Sequence, residues 1–378
     1  MRYLTTEDLE AFYAMEEGHP FYIPSGMIQL LKSAGSVPMT SSYYNVVYGP
    51  MMWTQLNQEA NVFGALPKTT WPHTGFRVQT AFASASEDIG FATSDNLPSA
   101  VYPTVATVAP SVKQIGETFE VPEALEALAA AGTDDIWGTS HQMKVAIGTE
   151  VVKRVNQQLM HKVNELASAW DNLETLDRIV SKYGEQGMTS NGWNLYNITK
   201  SDGTHWANAY VNDSSSLRDL TDDLVRDLLA QTRIRGGNPT LIVTGADTYS
   251  TLLGMYMTFV RYAPIQEMLA QFGVNGVQTA KGIEAGIQIS SLYGIPLIST
   301  ADCPSTTNGI SWIYALDISD PEGYGYPRLG ISLLMPLQYF ETDNYFVVNK
   351  VARKGMYLML GETVARMLRG QGKLRDIQ

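Results

Sequence analysis

The most regular apolar pattern in the chain runs from Thr139 to Trp170 and reads TSHQMKVAIGTEVVKRVNQQLMHKVNELASAW. From Met143 onward, apolar side chains recur every four residues, with a single step of three. This spacing predicts one long amphipathic helix over residues 139–170, with Thr139 or Ser140 as its N-cap. At a rise of about 1.5 Å per residue, such a helix would be a rod roughly 48 Å long.

The segment before this helix has the pattern of β-structure. Apolar and polar residues alternate from Phe76 to Phe82 and again from Ile115 to Val121, and a long polar connection lies between the two stretches. We therefore predict an extended two-stranded loop. Because an isolated hairpin is marginally stable in water, this loop is expected to lie on another element or on another subunit.

Residues 1–62 have the composition of an arm rather than of a domain. Glycine and proline interrupt them too often for a compact core, yet they are rich in aromatic and aliphatic side chains. Such surface on a broken backbone is expected to be buried along the flank of another element or another subunit.

The pattern after residue 216 is typical of α/β structure. A leucine-rich helix is predicted to begin at Ser215 or Ser216 and to end at Gly236-Gly237, and Leu241–Val243 is predicted to be a buried strand. The other predicted elements are a helix from about Asp247, strands over 287–291, 295–299, 331–337, 345–351 and 356–360, and a turn at Lys354-Gly355.

Charge and composition restrict the classes of function. The chain has 26 Lys and Arg against 38 Asp and Glu, a net charge of −12, which argues against a dedicated DNA-binding protein. Charged residues make up only 17%, below the usual value of about 25%. Either the surface favours uncharged polar groups, or neighbouring subunits cover much of it. The 20 Tyr, 16 Met and 7 Trp residues favour the second interpretation.

No arrangement of residues in the sequence indicates catalysis. The short motifs of metalloproteases, serine hydrolases and phosphate-binding loops are absent, and the five histidines lack the spacing of a metal-binding pair. We predict no catalytic residue, no cofactor and no metal. Cys303 has no basic neighbour in the sequence and is expected to be inert.

The basic residues near the end of the sequence allow two interpretations. They are interpreted as a solvated tail, and contact with an acidic neighbour is the alternative. This group consists of Arg366, Arg369, Lys373 and Arg375.

Four segments together resemble parts of a known family. They are Pro103–Val121 (PTVATVAPSVKQIGETFEV), Leu176–Ser181 (LDRIVS), Gly236–Gly245 (GGNPTLIVTG), and Gly282–Gly286 (GIEAG) leading into Tyr293–Pro296 (YGIP). In their order and spacing the chain resembles the HK97-type major capsid proteins of tailed double-stranded DNA viruses of bacteria or archaea. The resemblance implies an α+β fold with an arm, an extended β-loop, a long spine helix and an α/β axial domain.

The resemblance also implies a division of the chain. The expected parts are an N-terminal arm over 1–62, an extended β-loop over 63–121, a peripheral domain over 122–215 that contains the spine helix 139–170, an axial domain over 216–330, and a strand-rich return with a C-terminal tail over 331–378.

The function implied by the resemblance is structural and not enzymatic. Such subunits form pentamers and hexamers of an icosahedral shell around DNA, which they contact non-specifically. The expected partners are other copies of the chain, a portal, and separate scaffolding or decoration proteins, but no membrane. Assembly in the host cytoplasm and a location in the virion follow. The residues expected at subunit interfaces are Tyr43, Trp53, Trp71, Phe76, Phe82 and Phe91.

Three alternatives qualify this interpretation. Some family members form lysine–asparagine cross-links, but the sequence indicates no partner for Lys68 or Lys113, so no cross-link is predicted. An encapsulin-like shell around cargo enzymes would share the fold, although the long arm and loop argue against it. An α/β enzyme with a non-contiguous site, including residues such as Asp202 and His205, is the rival from another functional class.

Overall fold

The computed structural model of the chain describes residues 61–71, 73, 75–81, 101–130, 139–163, 171–188, 193–257, 290–342 and 351–378. These residues belong to two units. The first contains the described parts of 115–153 and 337–359, and the second contains those of 59–114, 154–336 and 360–378. None of the helices in these ranges is long and apolar enough to cross a membrane.

The elements are numbered along the chain. The helices are α1 (Asn61–Ala65), α2 (Glu123–Ala130), α3 (Ser140–Leu159), α4 (Leu176–Ile179), α5 (Asp222–Ile234) and α6 (Ala246–Met257). The strands are β1 (Lys68–Thr70), β2 (Phe76–Ala81), β3 (Thr104–Val108), β4 (Lys113–Pro122), β5 (Asn194–Leu195), β6 (Ile198–Thr199), β7 (Tyr210–Asn212), β8 (Leu241–Thr244), β9 (Ser290–Leu292), β10 (Ile295–Ser299), β11 (Ile313–Leu316), β12 (Leu329–Thr342), β13 (Ala352–Ala365) and β14 (Gly372–Leu374).

The first unit contains helices and parts of three neighbouring strands, with β13 between β12 and β4. Phe119 and Val121 of β4 form a buried cluster with Leu125 of α2, and Met143 and Ile147 of α3 pack against it. Alternation along β4 and four-residue spacing along α3 each direct apolar side chains to one face. The two sequence patterns therefore meet in one core.

The predicted turn at Lys354-Gly355 is wrong, because both residues lie inside β13. A Cβ atom on Gly355 would lie 2.5 Å from the ring of Phe119 and 2.7 Å from the hydroxyl of Tyr339. Glycine is needed here so that two aromatic rings can approach the strand, rather than to reverse the chain.

The core of the second unit is a six-stranded sheet in the order β7-β14-β11-β8-β10-β9. β8 and β10 are parallel, and β9 returns antiparallel to β10 through a turn in which Tyr293 and Gly294 have positive φ angles of 54° and 76°. This confirms the predicted buried strand Leu241–Val243 and the predicted strand 295–299. Of the predicted strand 287–291, residues 287–289 lie outside the described residues, and the described part of the strand extends to Leu292. Helix α5 packs its apolar face on this sheet through Val225 and Leu228.

The predicted start of the leucine-rich helix is wrong by several residues. The helix begins at Asp222, with Thr221 at the N-cap and two aspartates in its first turn, where negative charge suits the helix dipole. The preceding segment is bound to the end of the chain instead: Arg218 N donates to Asp376 O at 3.1 Å, and Gln378 N donates to Arg218 O at 2.9 Å. Those backbone groups are unavailable to a helix.

The spine helix is shorter than predicted. It begins at Ser140, as expected, but α3 ends at Leu159 and not at residue 170. Beyond it the chain turns, and the amide of Val163 donates to Oδ2 of Asp177 at 3.0 Å. Val163 is fully buried beside Met188, so its apolar character reflects packing outside the helix. Residues 164–170 lie outside the described residues.

The partners of the predicted β-loop strands are also different. β2 pairs antiparallel with β3, which lies in the segment interpreted as the polar connection. The second predicted strand, β4, pairs with β13 instead. The buried face of β4 belongs to the core of the first unit, and this burial favours the sheet over a free hairpin. The predicted arm over 1–62, apart from its last two residues, lies outside the described residues, as does the predicted strand 345–351 except for Val351.

Candidate functional site

Two of the six expected interface residues lie in the described part of the chain. Phe76 begins β2, is half-buried and stands opposite Val108 of β3. Trp71 follows β1, is half-buried, and donates its backbone amide to Leu333 O at 2.8 Å. The structure therefore places only Phe76 on the β2–β3 pair. The other four, Tyr43, Trp53, Phe82 and Phe91, lie outside the described residues.

In the described residues, the exposed apolar surface of the predicted loop lies at the start of β3 and in the residues just before it. Tyr102, Val101 and Val105 are 82%, 57% and 49% exposed. Burial of exposed apolar surface is favourable, by about 25 cal/mol for each Å² of apolar area removed from water. In the described residues, the β2–β3 pair is a sheet of only two strands, so its outer edges have no strand partner there.

The other end of the β2–β3 pair is held firmly. Asn197 accepts a hydrogen bond from the amide of Ala109 at 2.7 Å and donates to Thr107 O at 3.2 Å. Val108 is almost completely buried, and a Cβ atom on Gly75 would lie 2.6 Å from the carbonyl oxygen of Val108. The pair is thus anchored at one end and apolar at the exposed end, a geometry suited to reaching a neighbouring molecule.

A second feature of the same unit is a buried ion network that includes the basic end of the sequence. Nζ of Lys373 lies 2.6 Å from Asp177 and 2.7 Å from Glu185, and Nη1 of Arg375 lies 2.8 Å from Glu185. Burial alone would lower the pKa of Lys373, but these two carboxylates outweigh it and raise the pKa. Lys373 is therefore charged at neutral pH.

The interpretation of the basic end as a solvated tail is wrong for Lys373 and Arg375, which are buried, whereas Arg369 is exposed as that interpretation expects. β14 lies between β7 and β11 in the six-stranded sheet, where Lys373 is fully buried. The alternative, contact with acidic residues, holds for Lys373 and Arg375, but the acids belong to the same chain. The sequence signal for this network is weak, because Asp177 and Glu185 lie almost 200 residues from their partners.

Lys200 is another buried cation close to this network. Its ammonium donates to the carbonyl oxygens of Arg178, Ile179 and Ser181 at 2.9 to 3.1 Å. Burial lowers the pKa of Lys200 to about 7, although the carboxylate of Glu185 acts in the opposite direction. The Lys200 side chain thus adds a donor to carbonyl groups at the end of the short helix α4 and just after it, two of which also accept from Ser181 Oγ and from the amide of Ala209.

The described residues contain no group of three or more His, Cys, Asp or Glu side chains that could hold a metal ion. Asp202 and His205, suggested for the rival enzyme site, are both exposed, and no hydrogen bond or ion pair joins these two side chains. Burial raises the pKa of the Cys303 thiol well above its ordinary value, and the carboxylate of Asp247 adds to the effect. The thiol is therefore protonated and a poor nucleophile.

Comparison with known proteins gives a result at the level of the fold. No protein-family model and no curated protein matches the sequence. A chain in the capsid asymmetric unit of cyanophage A-1(L) matches with a TM-score of 0.60 and 14% identity, over 87% of this chain and 96% of that chain. A chain in the capsid of a native GTA particle matches with a TM-score of 0.51 and 11% identity, over 90% and 95% of the two chains.

The chain therefore has the α+β fold of these capsid chains. This confirms, at the level of the fold, the resemblance that the four sequence segments indicate. The match extends over nearly the full length of the known chains, so it concerns the whole architecture rather than one shared sheet.

Proposed function

We propose that the protein is the major capsid subunit of a tailed double-stranded DNA virus and assembles in many copies into an icosahedral shell. The observation that carries this proposal is the shared fold with the cyanophage A-1(L) capsid chain over most of both chains. The low content of charged residues, 17% of the sequence, supports a surface that other subunits largely cover.

The β2–β3 pair would supply one of the contacts between subunits. Its anchored end keeps the pair on its own subunit, while Tyr102, Val101 and Val105 are free to be buried by a neighbour. Full burial of an exposed valine contributes about 1.5–3 kcal/mol, and because Val101 and Val105 are already about half-buried, each would contribute about half of this. In a closed symmetric assembly the same contact is repeated for every equivalent copy, so modest energies per subunit are sufficient.

The proposal extends to the oligomers, the parts of the chain and the other partners. Subunits would form pentamers and hexamers, with 63–121 as the extended loop, 122–215 as the peripheral domain and 216–330 as the axial domain. Portal, scaffolding and decoration proteins would be the other partners. The net charge of −12 would limit tight binding to the enclosed DNA. The role would be structural, without a catalytic step.

Expression of the full chain tests the proposal directly. Sedimentation velocity and negative-stain electron microscopy should show closed particles tens of nanometres across. A monomer or dimer at every protein concentration and ionic strength would contradict the proposal. Shells that enclose a host enzyme and no nucleic acid when isolated from their native source would favour the encapsulin-like alternative instead.

The role of the β2–β3 pair has a test of its own. Tyr102→Asp should abolish particles while leaving the far-UV circular dichroism spectrum and the melting temperature of the subunit unchanged, because the ring is 82% exposed. Tyr324→Asp is the matched control, a 74% exposed tyrosine outside the pair, and it should assemble normally. If Tyr102→Asp assembles as the parent does, this pair is not an interface.

A further inference from the structure

The second unit contains a pocket of about 130 Å³ beside the buried ion network. A single ordered water needs only about 10–15 Å³, so the pocket can hold a larger guest. Its lining is mostly polar and includes Lys162, Asp177, Thr306, Thr307, Trp312 and Arg375. Neither the sequence motifs nor the proposed capsid role accounts for this pocket.

The carboxylates around the pocket are already engaged. Asp177 accepts from Lys373 with one oxygen and from the amide of Val163 with the other. Asp376 accepts from Nε of Arg375 at 3.1 Å and from the hydroxyl of Thr306 at 2.9 Å. The acids therefore fix the positions of the inner cations rather than fill the pocket.

Two cationic side chains at the pocket have N–H groups that could donate hydrogen bonds to a bound molecule. Arg375 uses Nε for Asp376 and Nη1 for Glu185, and among the described residues Nη2 has no hydrogen-bond acceptor. The ammonium of Lys162 lies 5.7 Å from the centroid of the Trp312 ring and forms no ion pair with a described carboxylate. The guanidinium of Arg375 lies 4.7 Å from the same centroid. Both cations thus border the same pocket wall.

We propose that this pocket binds a small oxyanion, with a phosphate or carboxylate group held between Lys162 and Arg375. A guanidinium with a spare terminal nitrogen, and an ammonium that has no carboxylate partner among the described residues, match the acceptor oxygens of such a group. Arg375 is less than one-tenth exposed, and Glu185 and Asp376 hold its orientation, so little ordering is needed when the anion binds. The exposed Thr307 lies at the pocket, where its hydroxyl is a further donor.

Isothermal titration calorimetry of the full chain with inorganic phosphate, and separately with acetate, at constant ionic strength tests the proposal. At least one of the two anions should bind in a saturable manner. Which of them binds more tightly then identifies whether the natural guest carries a phosphate or a carboxylate. Lys162→Gln should weaken that binding about tenfold or more, since it removes one charge-assisted hydrogen bond.

Lys144→Gln is the matched control. The ammonium of Lys144 also lies over an aromatic ring, 4.0 Å from the centroid of Tyr339, but Lys144 is not one of the residues that line the pocket, so this variant should bind as the parent does. The proposal is overturned if neither anion binds the parent protein, or if Lys162→Gln and Lys144→Gln bind equally well. Assembly of particles is a separate measurement, so failure of anion binding leaves the capsid proposal intact.

Discussion

The ion network around Lys373 and the β2–β3 pair belong to the same unit but differ in how completely the chain satisfies their side chains. In the network, two carboxylates and one ammonium are fully enclosed and paired at 2.6 and 2.7 Å. On the β2–β3 pair, Tyr102 and Val105 remain in water. The first region is complete within the chain, whereas the second leaves apolar surface exposed. This contrast distinguishes residues that hold the fold from residues that the proposed assembly would bury.

The largest loss of stability is expected when the shared cation of the ion network is removed. Lys373→Ala would leave Asp177 and Glu185 buried without their shared cation, which should lower the free energy of unfolding by about 3–5 kcal/mol. Urea denaturation of the unassembled subunit, followed by circular dichroism, measures this loss.

Lys354→Ala is its control, because that lysine is partly exposed and lies 3.7 Å from Glu120. An exposed pair of this kind contributes roughly 0–1 kcal/mol. Equal losses in Lys373→Ala and Lys354→Ala would show that the network contributes no more than an ordinary surface pair.

A smaller effect is expected at the anchored end of the β2–β3 pair. Gly75→Ala would place a Cβ atom 2.6 Å from the carbonyl oxygen of Val108, so the strands must shift, at a cost of about 1–3 kcal/mol. Gly64→Ala is the control, since no atom lies within 4 Å of its added Cβ. Thermal unfolding of both variants gives the comparison, and a melting temperature for Gly75→Ala equal to that of the parent would contradict the tight packing.

A change of pH from 7 to 8 should act most strongly through Lys200, beside the network, while Lys68, whose pKa burial lowers to about 8, adds a smaller effect of the same sign. The pKa of Lys200 is about 7 in the folded chain and about 10.4 when unfolded, so above pH 7 the unfolded chain binds one more proton. Stability should therefore rise between pH 7 and 8, by about 1 kcal/mol. Urea denaturation at both pH values measures the rise, most of which should disappear in Lys200→Met, since only the smaller effect of Lys68 then remains. A constant or falling stability of the parent would contradict the lowered pKa.

The smallest effect on stability is expected at the exposed end of the β2–β3 pair. Tyr102→Ser removes a ring that is 82% exposed, so the free energy of unfolding should change by no more than about 0.5 kcal/mol. Urea denaturation of Tyr102→Ser and of Lys373→Ala under the same conditions compares the two losses in the free energy of unfolding. A loss of several kcal/mol would mean that the ring supports the fold of its own subunit.

The sequence predicted those elements whose signal is local. The short buried strand Leu241–Val243 and the strand 295–299 are confirmed, because an apolar run and a glycine turn suffice to specify them. The start of the spine helix at Ser140 is confirmed for the same reason, whereas its predicted end is wrong. The four-residue spacing continues past Leu159 only because Val163 is buried in a different cluster.

The candidate sites were predictable only in part. The β-loop was expected to carry interface residues, and Phe76 does lie on the β2–β3 pair, but Tyr102 was missed because one exposed tyrosine has no sequence pattern. The network of Lys373 was missed as well. A lysine side chain is usually solvated, and only its distant partners Asp177 and Glu185 offset the cost of burying this one.

By itself, the sequence determined the α+β class, the resemblance to capsid chains, and the low charge that points to covered surfaces. Apolar periodicity and composition follow directly from the residue types and their spacing along the chain. Only the tertiary structure decided which strand pairs with β2, where α3 ends, and that β14 inserts between β7 and β11. Those outcomes depend on strand pairing and on the burial of side chains that are far apart in the chain, so no local sequence pattern predicts them.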